Sequence, residues 1–159
     1  MTIKVGDKIP SVTLTHMTPE GPKEITTDDL FGGKKVVLFA LPGAFTPTCS
    51  QAHLPGFVVN ADKIKAKGVD KIVCLSVNDA FVMDAWGKTQ NAEEIHMVAD
   101  GNGDFAKAIG LELDLRARGM GVRAKRFAMI AEDGVVNHLA VEEPGKFEVS
   151  SAEKMMALL

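Results

Sequence analysis

The chain has 159 residues, of which 46% are hydrophobic, and it carries a formal net charge of −3 at pH 7. This length and composition fit a single folded domain over residues 1–159 and exclude a disordered chain. The mild acidity without a basic cluster argues against a nucleic-acid partner, and no apolar run approaches the roughly 20 residues that span a bilayer.

The first half of the chain predicts a hairpin and then a strand and a helix. A short hairpin is expected from residues 11–15 and the turn at 19–22. The apolar run at 35–41 predicts a buried strand. Residues 47–67 predict a helix with one apolar stripe, which Pro55 should bend.

The second half predicts further alternation and a closing hairpin. Strands are expected at 70–77 and 95–99, with helices at 79–89 and 105–109. The final elements are two strands and a helix, at residues 126–131, 135–141 and 151–159. Asp133-Gly134 joins the two strands as a hairpin turn, so the order indicates the α/β class with a mixed sheet.

Residues 42–49, Pro-Gly-Ala-Phe-Thr-Pro-Thr-Cys, connect the strand at 35–41 to the following helix. Thr46 is a good N-cap and Pro47 suits the first helical position, so Cys49 should lie in the first turn. Backbone N–H groups there lack helical partners and the helix dipole is positive, which favours a thiolate. The pattern predicts a reactive thiol; a small buried hydrophobic residue is the alternative.

The second cysteine, Cys74, lies within a predicted buried strand, which favours a structural thiol. Two cysteines outside a CxxC pattern argue against a disulfide scaffold and against a thioredoxin-type disulfide oxidoreductase. Four scattered histidines give no zinc pattern, so we expect no metal site and no cofactor.

The pattern Pro42-x-x-x-Thr46-x-x-Cys49 resembles the active-site signature of the peroxiredoxins, thiol enzymes that reduce peroxides. The string PGAFTPTCS, followed by HLPGF, is similar to the type II or peroxiredoxin 5 subgroup, as are CLSVND and KRF further along. The tail VSSAE is most similar to plant type II proteins and their bacterial relatives. The resemblance implies a thioredoxin-like fold, a mixed central sheet flanked by helices, with an N-terminal hairpin extension.

The resemblance also assigns catalytic roles. Cys49 would attack the peroxide, Thr46 would direct its hydroxyl toward the sulfur or the peroxide, and Pro42 would shield the thiolate from water and over-oxidation. Arg126 would hold thiolate and peroxide, for which its fixed fork of donors and permanent charge are suited. We expect its neighbours Arg123 and Lys125 to be solvated.

The peroxide pocket implied by the resemblance is lined by Gly43, Phe45, Leu115 and Met120. His53, four residues after Cys49, should share its helical face and support the site without touching substrate. Its ordinary pKa of about 6.5 would leave it half-charged near neutral pH. For Trp86 we expect core packing.

Some type II relatives form an intramolecular disulfide with a cysteine at the position of Cys74, which makes it a candidate resolving residue. Others carry a resolving cysteine near the C-terminus, where this chain has Glu148-Val149-Ser150-Ser151. We expect Cys74 to be structural and an external thiol to reduce the oxidised enzyme.

The function implied is a thiol-dependent peroxidase that reduces hydrogen peroxide and alkyl hydroperoxides through a Cys49 sulfenic acid. Glutaredoxin with glutathione, or thioredoxin, would regenerate the thiol. A non-catalytic peroxide sensor or a redox-regulated chaperone is the alternative. The family also implies a homodimer, and the N-terminus, without an h-region or transit character, favours a cytoplasmic protein.

Overall fold

The computed structural model describes residues 2–159. Its strands are β1 (Thr13–Thr18), β2 (Gly21–Thr26), β3 (Lys35–Ala40), β4 (Lys71–Ser76), β5 (His96–Ala99), β6 (Glu112–Asp114), β7 (Val122–Ala124), β8 (Phe127–Glu132) and β9 (Val135–Val141). Its α-helices are α1 (Thr27–Phe31), α2 (Leu54–Ala66), α3 (Ala80–Thr89), α4 (Asp104–Ala108) and α5 (Ala152–Met156), with a π-helix at Cys49–His53 and a 3-10 helix at Arg116–Arg118.

The main sheet has the strand order β2-β1-β5-β4-β3-β8-β9. The inner strands β3, β4 and β5 run parallel, and the outer pairs β1–β2, β1–β5, β3–β8 and β8–β9 are antiparallel. The inner strands read as continuous apolar runs because both faces of the sheet are covered. The predicted mixed α/β architecture and the N-terminal hairpin are confirmed.

Two buried clusters lie on the opposite faces of this sheet. Along β3, Val37 and Phe39 belong to one cluster, and Val36 and Leu38 to the other, as strand alternation requires. Cys49 belongs to the first cluster, which packs between the sheet and helices α2, α3 and α5. The first cluster therefore packs directly against the candidate site.

The helix after β3 differs from its prediction. Helical structure begins at Pro47 as expected, but residues Cys49–His53 form a π-helical turn in which the Leu54 N–H donates to the Cys49 carbonyl. Pro55 has no N–H for the carbonyl four residues earlier, and its ring crowds that carbonyl, which favours a wider turn. The irregularity therefore precedes Pro55 and includes Cys49.

Four short elements were not predicted, among them the 3-10 helix at Arg116–Arg118. Helix α1 has five residues and a reciprocal capping box between Thr26 and Asp29, and strands β6 and β7 have three residues each. Such lengths carry too few periods for a pattern to be recognised. The last helix ends at Met156 rather than at Leu159.

Within residues 2–159, no helix combines the length and apolar character that crossing a bilayer requires.

Candidate active site

The loop after β3 holds Cys49 at the carboxyl end of the parallel strands. The Ala44 N–H donates to Asn78 Oδ1 at 3.0 Å, and the Ser76 hydroxyl donates to the same oxygen at 2.6 Å. These bonds tie the loop to the end of the neighbouring strand β4. Phe45 has a φ of 66°, a left-handed conformation that turns the chain sharply before the helix.

The Cys49 side chain is fully buried, and its sulfur contacts a cation. Arg126 Nη2 donates to Cys49 Sγ at 3.2 Å. Arg126 directly precedes β8, whose first residue, Phe127, pairs with Ala40 at the end of β3. This antiparallel pairing brings the arginine to the loop that carries Cys49, although 77 residues separate the two. A permanent positive charge at this distance can stabilise negative charge that develops at the sulfur during a reaction.

His53 contacts the other side of the same guanidinium. Its Nδ1 lies 2.9 Å from Arg126 Nη1, and its Nε2 lies 2.9 Å from the Ser150 carbonyl oxygen. Because a guanidinium only donates and a carbonyl only accepts, Nδ1 is the acceptor and Nε2 carries the proton. Burial, and then the charge of Arg126, lower the pKa of His53 to about 3. The expectation of a half-charged His53 is therefore wrong.

The buried neutral histidine should make the protein less stable in acid. His53 takes up a proton below about pH 6.5 in the unfolded chain but only near pH 3 in the folded protein. The free energy of unfolding should therefore fall between these values, by up to about 1.4 kcal/mol per pH unit. The Gln side chain of His53→Gln can keep both hydrogen bonds but does not titrate. The free energy of unfolding of this variant, measured by urea denaturation, should therefore fall less steeply as the pH is lowered across this range.

The comparison isolates His53 from the two other histidines whose pKa is lowered, His16 and His96. Burial, then Lys71, then His16 lower the pKa of His96 to about 4, and that contribution is the same in both proteins. If the free energy of unfolding depended on pH equally in wild type and in His53→Gln, the assignment of His53 as buried and neutral would be contradicted.

Thr46 begins the helix but does not cap it as predicted. Its carbonyl accepts the Ser50 N–H at 2.9 Å, whereas its hydroxyl donates to the Gly43 carbonyl at 2.7 Å. The side chain therefore closes the preceding turn instead of capping the helix. With its proton engaged there, the Thr46 oxygen retains lone pairs that can accept a hydrogen bond.

Arg123 was expected to be solvated, and this is wrong. It is half-buried, its Nε donates to the Met120 carbonyl at 2.8 Å, and its Nη1 donates to the Pro42 carbonyl at 3.2 Å. A Cβ added at Gly43 would lie 2.7 Å from Arg123 Nη1. Arg123 thus joins the loop that contains Met120 to the turn that precedes Thr46.

We expect Arg123→Met to slow the reaction with peroxide about fivefold to tenfold. The variant keeps the apolar stem but loses two hydrogen bonds of about 1 kcal/mol each, one to the Met120 carbonyl and one to the Pro42 carbonyl of the turn before Thr46. Stopped-flow measurement of the reduced protein mixed with peroxide gives the rate constant. Arg118→Met, at an exposed arginine of the 3-10 helix, is the matched control. Equal rates for the two variants would show that Arg123 does not support the site.

The other predicted pocket residues lie around these loops. Phe45 is 55% exposed, with its ring 6.4 Å from that of Trp86. Leu115 is half-buried and its carbonyl accepts the Met120 N–H at 3.1 Å. Trp86 is buried in the core as predicted, and its indole N–H donates to Ser50 Oγ at 3.0 Å, beside Cys49 in the chain.

Cys74 is fully buried in β4, paired in register with Phe39 of β3. Burial, and then the charge of Cys49, raise the pKa of the Cys74 thiol well above its ordinary value. Both cysteines are free in this structure. Cys74 is thus a protonated core thiol.

In the described part of the chain, no three histidine, cysteine or acidic side chains are grouped as metal ligands would be. A cavity of about 500 Å³ is lined by residues that include His16, Lys71 and His96, and neither Cys49, His53 nor Arg126 lines it.

Comparison with known proteins identifies close relatives over the whole chain. The family model described as Redoxin matches residues 4–156. Peroxiredoxin-2E, chloroplastic, from Arabidopsis thaliana is 52% identical over 163 residues, covering 99% of this chain and 70% of the relative. Peroxiredoxin-2D of the same plant is 46% identical, covering 99% of this chain and 98% of its own.

A solved structure gives the same result in three dimensions. The crystal structure of reduced Prx3 from Vibrio vulnificus in complex with H₂O₂ superposes with a TM-score of 0.96. The two sequences are 57% identical, and the alignment covers 99% of each chain.

Proposed function

Because this chain belongs to the Redoxin family as a type II peroxiredoxin, a thiol-dependent peroxidase with the thioredoxin-like fold, we propose that Cys49 is the thiol that attacks the peroxide. The observation that carries this proposal is the 3.2 Å contact between Arg126 Nη2 and the Cys49 sulfur. Cys74 has no such cation contact and is held in the middle of the sheet.

The proposed reaction begins with the Cys49 thiolate. Its sulfur forms a bond to one peroxide oxygen while the O–O bond breaks, and the other oxygen leaves as hydroxide or alkoxide and takes up a proton. The sulfur becomes a sulfenic acid. Arg126 stabilises the negative charge as it moves from sulfur to the leaving oxygen. The Thr46 oxygen accepts a hydrogen bond from the peroxide, and Pro42 shields the sulfur.

Turnover distinguishes this peroxidase from a peroxide sensor. With peroxide and a thiol reductant both in excess, the protein should consume many equivalents of peroxide per Cys49. A sensor or a redox-regulated chaperone would stop after about one equivalent, since its oxidised thiol is the end product. Peroxide consumption that stops at this point would refute catalysis by Cys49.

The proposed reductant is an external thiol, supplied by glutaredoxin with glutathione or by thioredoxin. This is supported by the burial of Cys74 and by the serines at positions 150 and 151, where some relatives have a resolving cysteine. A steady-state assay with each reductant in turn identifies the more efficient one. Activity with neither would show that the reductant is of another class.

We expect Cys74→Ser to keep most of the activity with glutathione and glutaredoxin. Disulfide formation would require Cα atoms within roughly 7 Å and a thiolate at a residue whose burial disfavours one. One equivalent of peroxide should give mainly a sulfenic acid or a glutathione adduct by intact mass. Cys74→Ala separates the loss of the thiol from the cost of burying a hydroxyl. Quantitative formation of a Cys49–Cys74 disulfide in wild type would contradict this assignment.

We also propose a homodimer formed through the face beside the active-site loop. Phe45 and Phe81 are exposed by 55% and 65%, and exposed aromatic residues are typical of interaction surfaces. Light scattering of Phe81→Asp should report a shift toward monomer, while Val59→Asp, at an exposed residue of α2, should not. A monomeric wild type would rule out this proposal.

A cytoplasmic location is likewise a proposal, which cell fractionation would test.

A further inference from the structure

The Glu142 carboxylate, which directly follows β9, is buried and accepts an unusual number of hydrogen bonds. Its side chain belongs to a residue only 6% exposed. Oε2 accepts from the N–H groups of Val149 and Ser150 and from the Ser150 hydroxyl, each at 2.8 Å. Both oxygens lie 2.9 Å from the Glu148 nitrogen. Glu142 therefore fixes the segment at residues 148–150.

Glu142 is ionised at neutral pH. Burial raises the pKa of its carboxyl group, but the N–H donors of Glu148, Val149 and Ser150 and the Ser150 hydroxyl together lower it below its ordinary value. The charge is thus compensated by hydrogen bonds from the segment that it holds.

Ser150 connects Glu142 to the active site through hydrogen bonds. Its N–H and hydroxyl are both held by Glu142, and its carbonyl accepts Nε2–H of His53 at 2.9 Å. His53 in turn accepts from Arg126, whose other nitrogen contacts the Cys49 sulfur. A continuous series of contacts of 3.2 Å or less therefore joins Glu142 to Cys49.

The same segment contacts Arg126 at a second point. The Phe147 ring lies 5.8 Å from the guanidinium carbon of Arg126 and 5.0 Å from the His53 ring. Phe39 and Phe57 enclose the histidine ring, at 5.0 and 5.7 Å. The histidine cannot turn freely in this aromatic enclosure, so its Nδ1 stays directed at the guanidinium.

We propose that Glu142 is a positioning residue for peroxide reduction, which acts through Ser150 and His53 on the orientation of the Arg126 guanidinium. This inference rests on the proposed roles of Cys49 and Arg126. When Glu142 holds Ser150, His53 presents an acceptor to Arg126 Nη1, and Arg126 Nη2 is directed at the sulfur. If Ser150 moved, His53 could present its N–H to Arg126 instead of its acceptor nitrogen. Two donors would then face each other, and the hydrogen bond between the two side chains would be lost.

Glu142→Gln tests this inference with little change in volume. An amide places an NH₂ group among donors, so the held segment should shift. We expect the rate constant with hydrogen peroxide to fall about tenfold, since small displacements of a catalytic group can cost up to about 10²-fold. Glu143→Gln, the same change at the exposed neighbouring residue, should leave the rate constant unchanged.

Alkylation separates positioning from general loosening of the structure. At a pH at which alkylation of Cys49 by iodoacetamide has reached its plateau, the thiol is fully ionised and this rate reports access to the sulfur and the nucleophilicity of the thiolate. Glu142→Gln should leave the plateau unchanged while the peroxide rate at the same pH falls. A parallel change in both rates would indicate an altered thiol environment and overturn the inference.

A double-mutant cycle with Arg126→Gln provides the decisive comparison. If Glu142 acts through Arg126, Glu142→Gln should slow the Arg126→Gln protein by less than about twofold. An equal fall in both backgrounds, or no fall in either, would overturn the inference. Should Glu142→Gln fail to fold, Ser150→Ala, which loses one contact, should give a fall of about threefold that also vanishes without Arg126. A wild type that consumes no peroxide would refute the proposed function instead.

Discussion

Cys49→Ser should lower the rate of peroxide reduction by at least about a thousandfold, to the level without enzyme. A serine hydroxyl is not ionised near neutral pH and lacks the polarisable sulfur that attacks the O–O bond. The fold should remain, because the change replaces one atom and Arg126 can still donate to the new oxygen. The cost in stability should be about 1–2 kcal/mol, for a polar group placed in a buried position.

Peroxide consumption at matched protein concentration measures this effect, with circular dichroism as the check on folding. Cys74→Ser is the matched control, because it makes the same chemical change at the other buried cysteine. Turnover retained by Cys49→Ser and lost in Cys74→Ser would reverse the proposed roles of the two thiols.

Arg126→Gln should slow the reaction with peroxide by about 10²–10³-fold, the usual effect of removing one donor that stabilises developing charge. The variant loses the cation at the Cys49 sulfur and leaves the buried Nδ1 of His53 without its charged donor. The peroxide rate should fall even at a pH where alkylation of Cys49 has reached its plateau, because the loss lies in the attack on the peroxide.

Lys125→Gln is the matched control, since it removes a charge at the adjacent, half-buried residue. Its peroxide rate should coincide with that of the wild type. An Arg126→Gln protein with a normal peroxide rate would show that the arginine has been assigned the wrong role.

The inner strands could be predicted because their apolar runs are long and unbroken. Residues 35–41 and 70–77 coincide closely with Lys35–Ala40 and Lys71–Ser76. The hairpin turn at Asp133-Gly134 was likewise recognised from local sequence alone. By contrast, the π-helical turn at Cys49–His53 depends on how Pro55 perturbs a helix already fixed by tertiary packing.

The active site could be predicted only in part, because some of its residues meet through tertiary contacts. Cys49 stands in a local motif, but Arg126 reaches it only through the register of β3 with β8, for which resemblance rather than periodicity provided the guide. Arg123 was missed because its partner Pro42 lies 81 residues away in the chain. Glu142 was missed because its partners are mainly backbone N–H groups of residues 148–150, which leave no pattern of residue types. The neutral state of His53 required knowledge of its burial beside a guanidinium.

Trapping of the oxidised thiol tests the central claim most directly. Reduced wild-type protein is treated with one equivalent of hydrogen peroxide in the presence of dimedone, and the labelled peptide is identified by mass spectrometry. We predict a sulfenic acid adduct on Cys49, close to stoichiometric, with Cys74 unlabelled. An adduct on Cys74, or an unlabelled Cys49 while peroxide is consumed, would contradict the account.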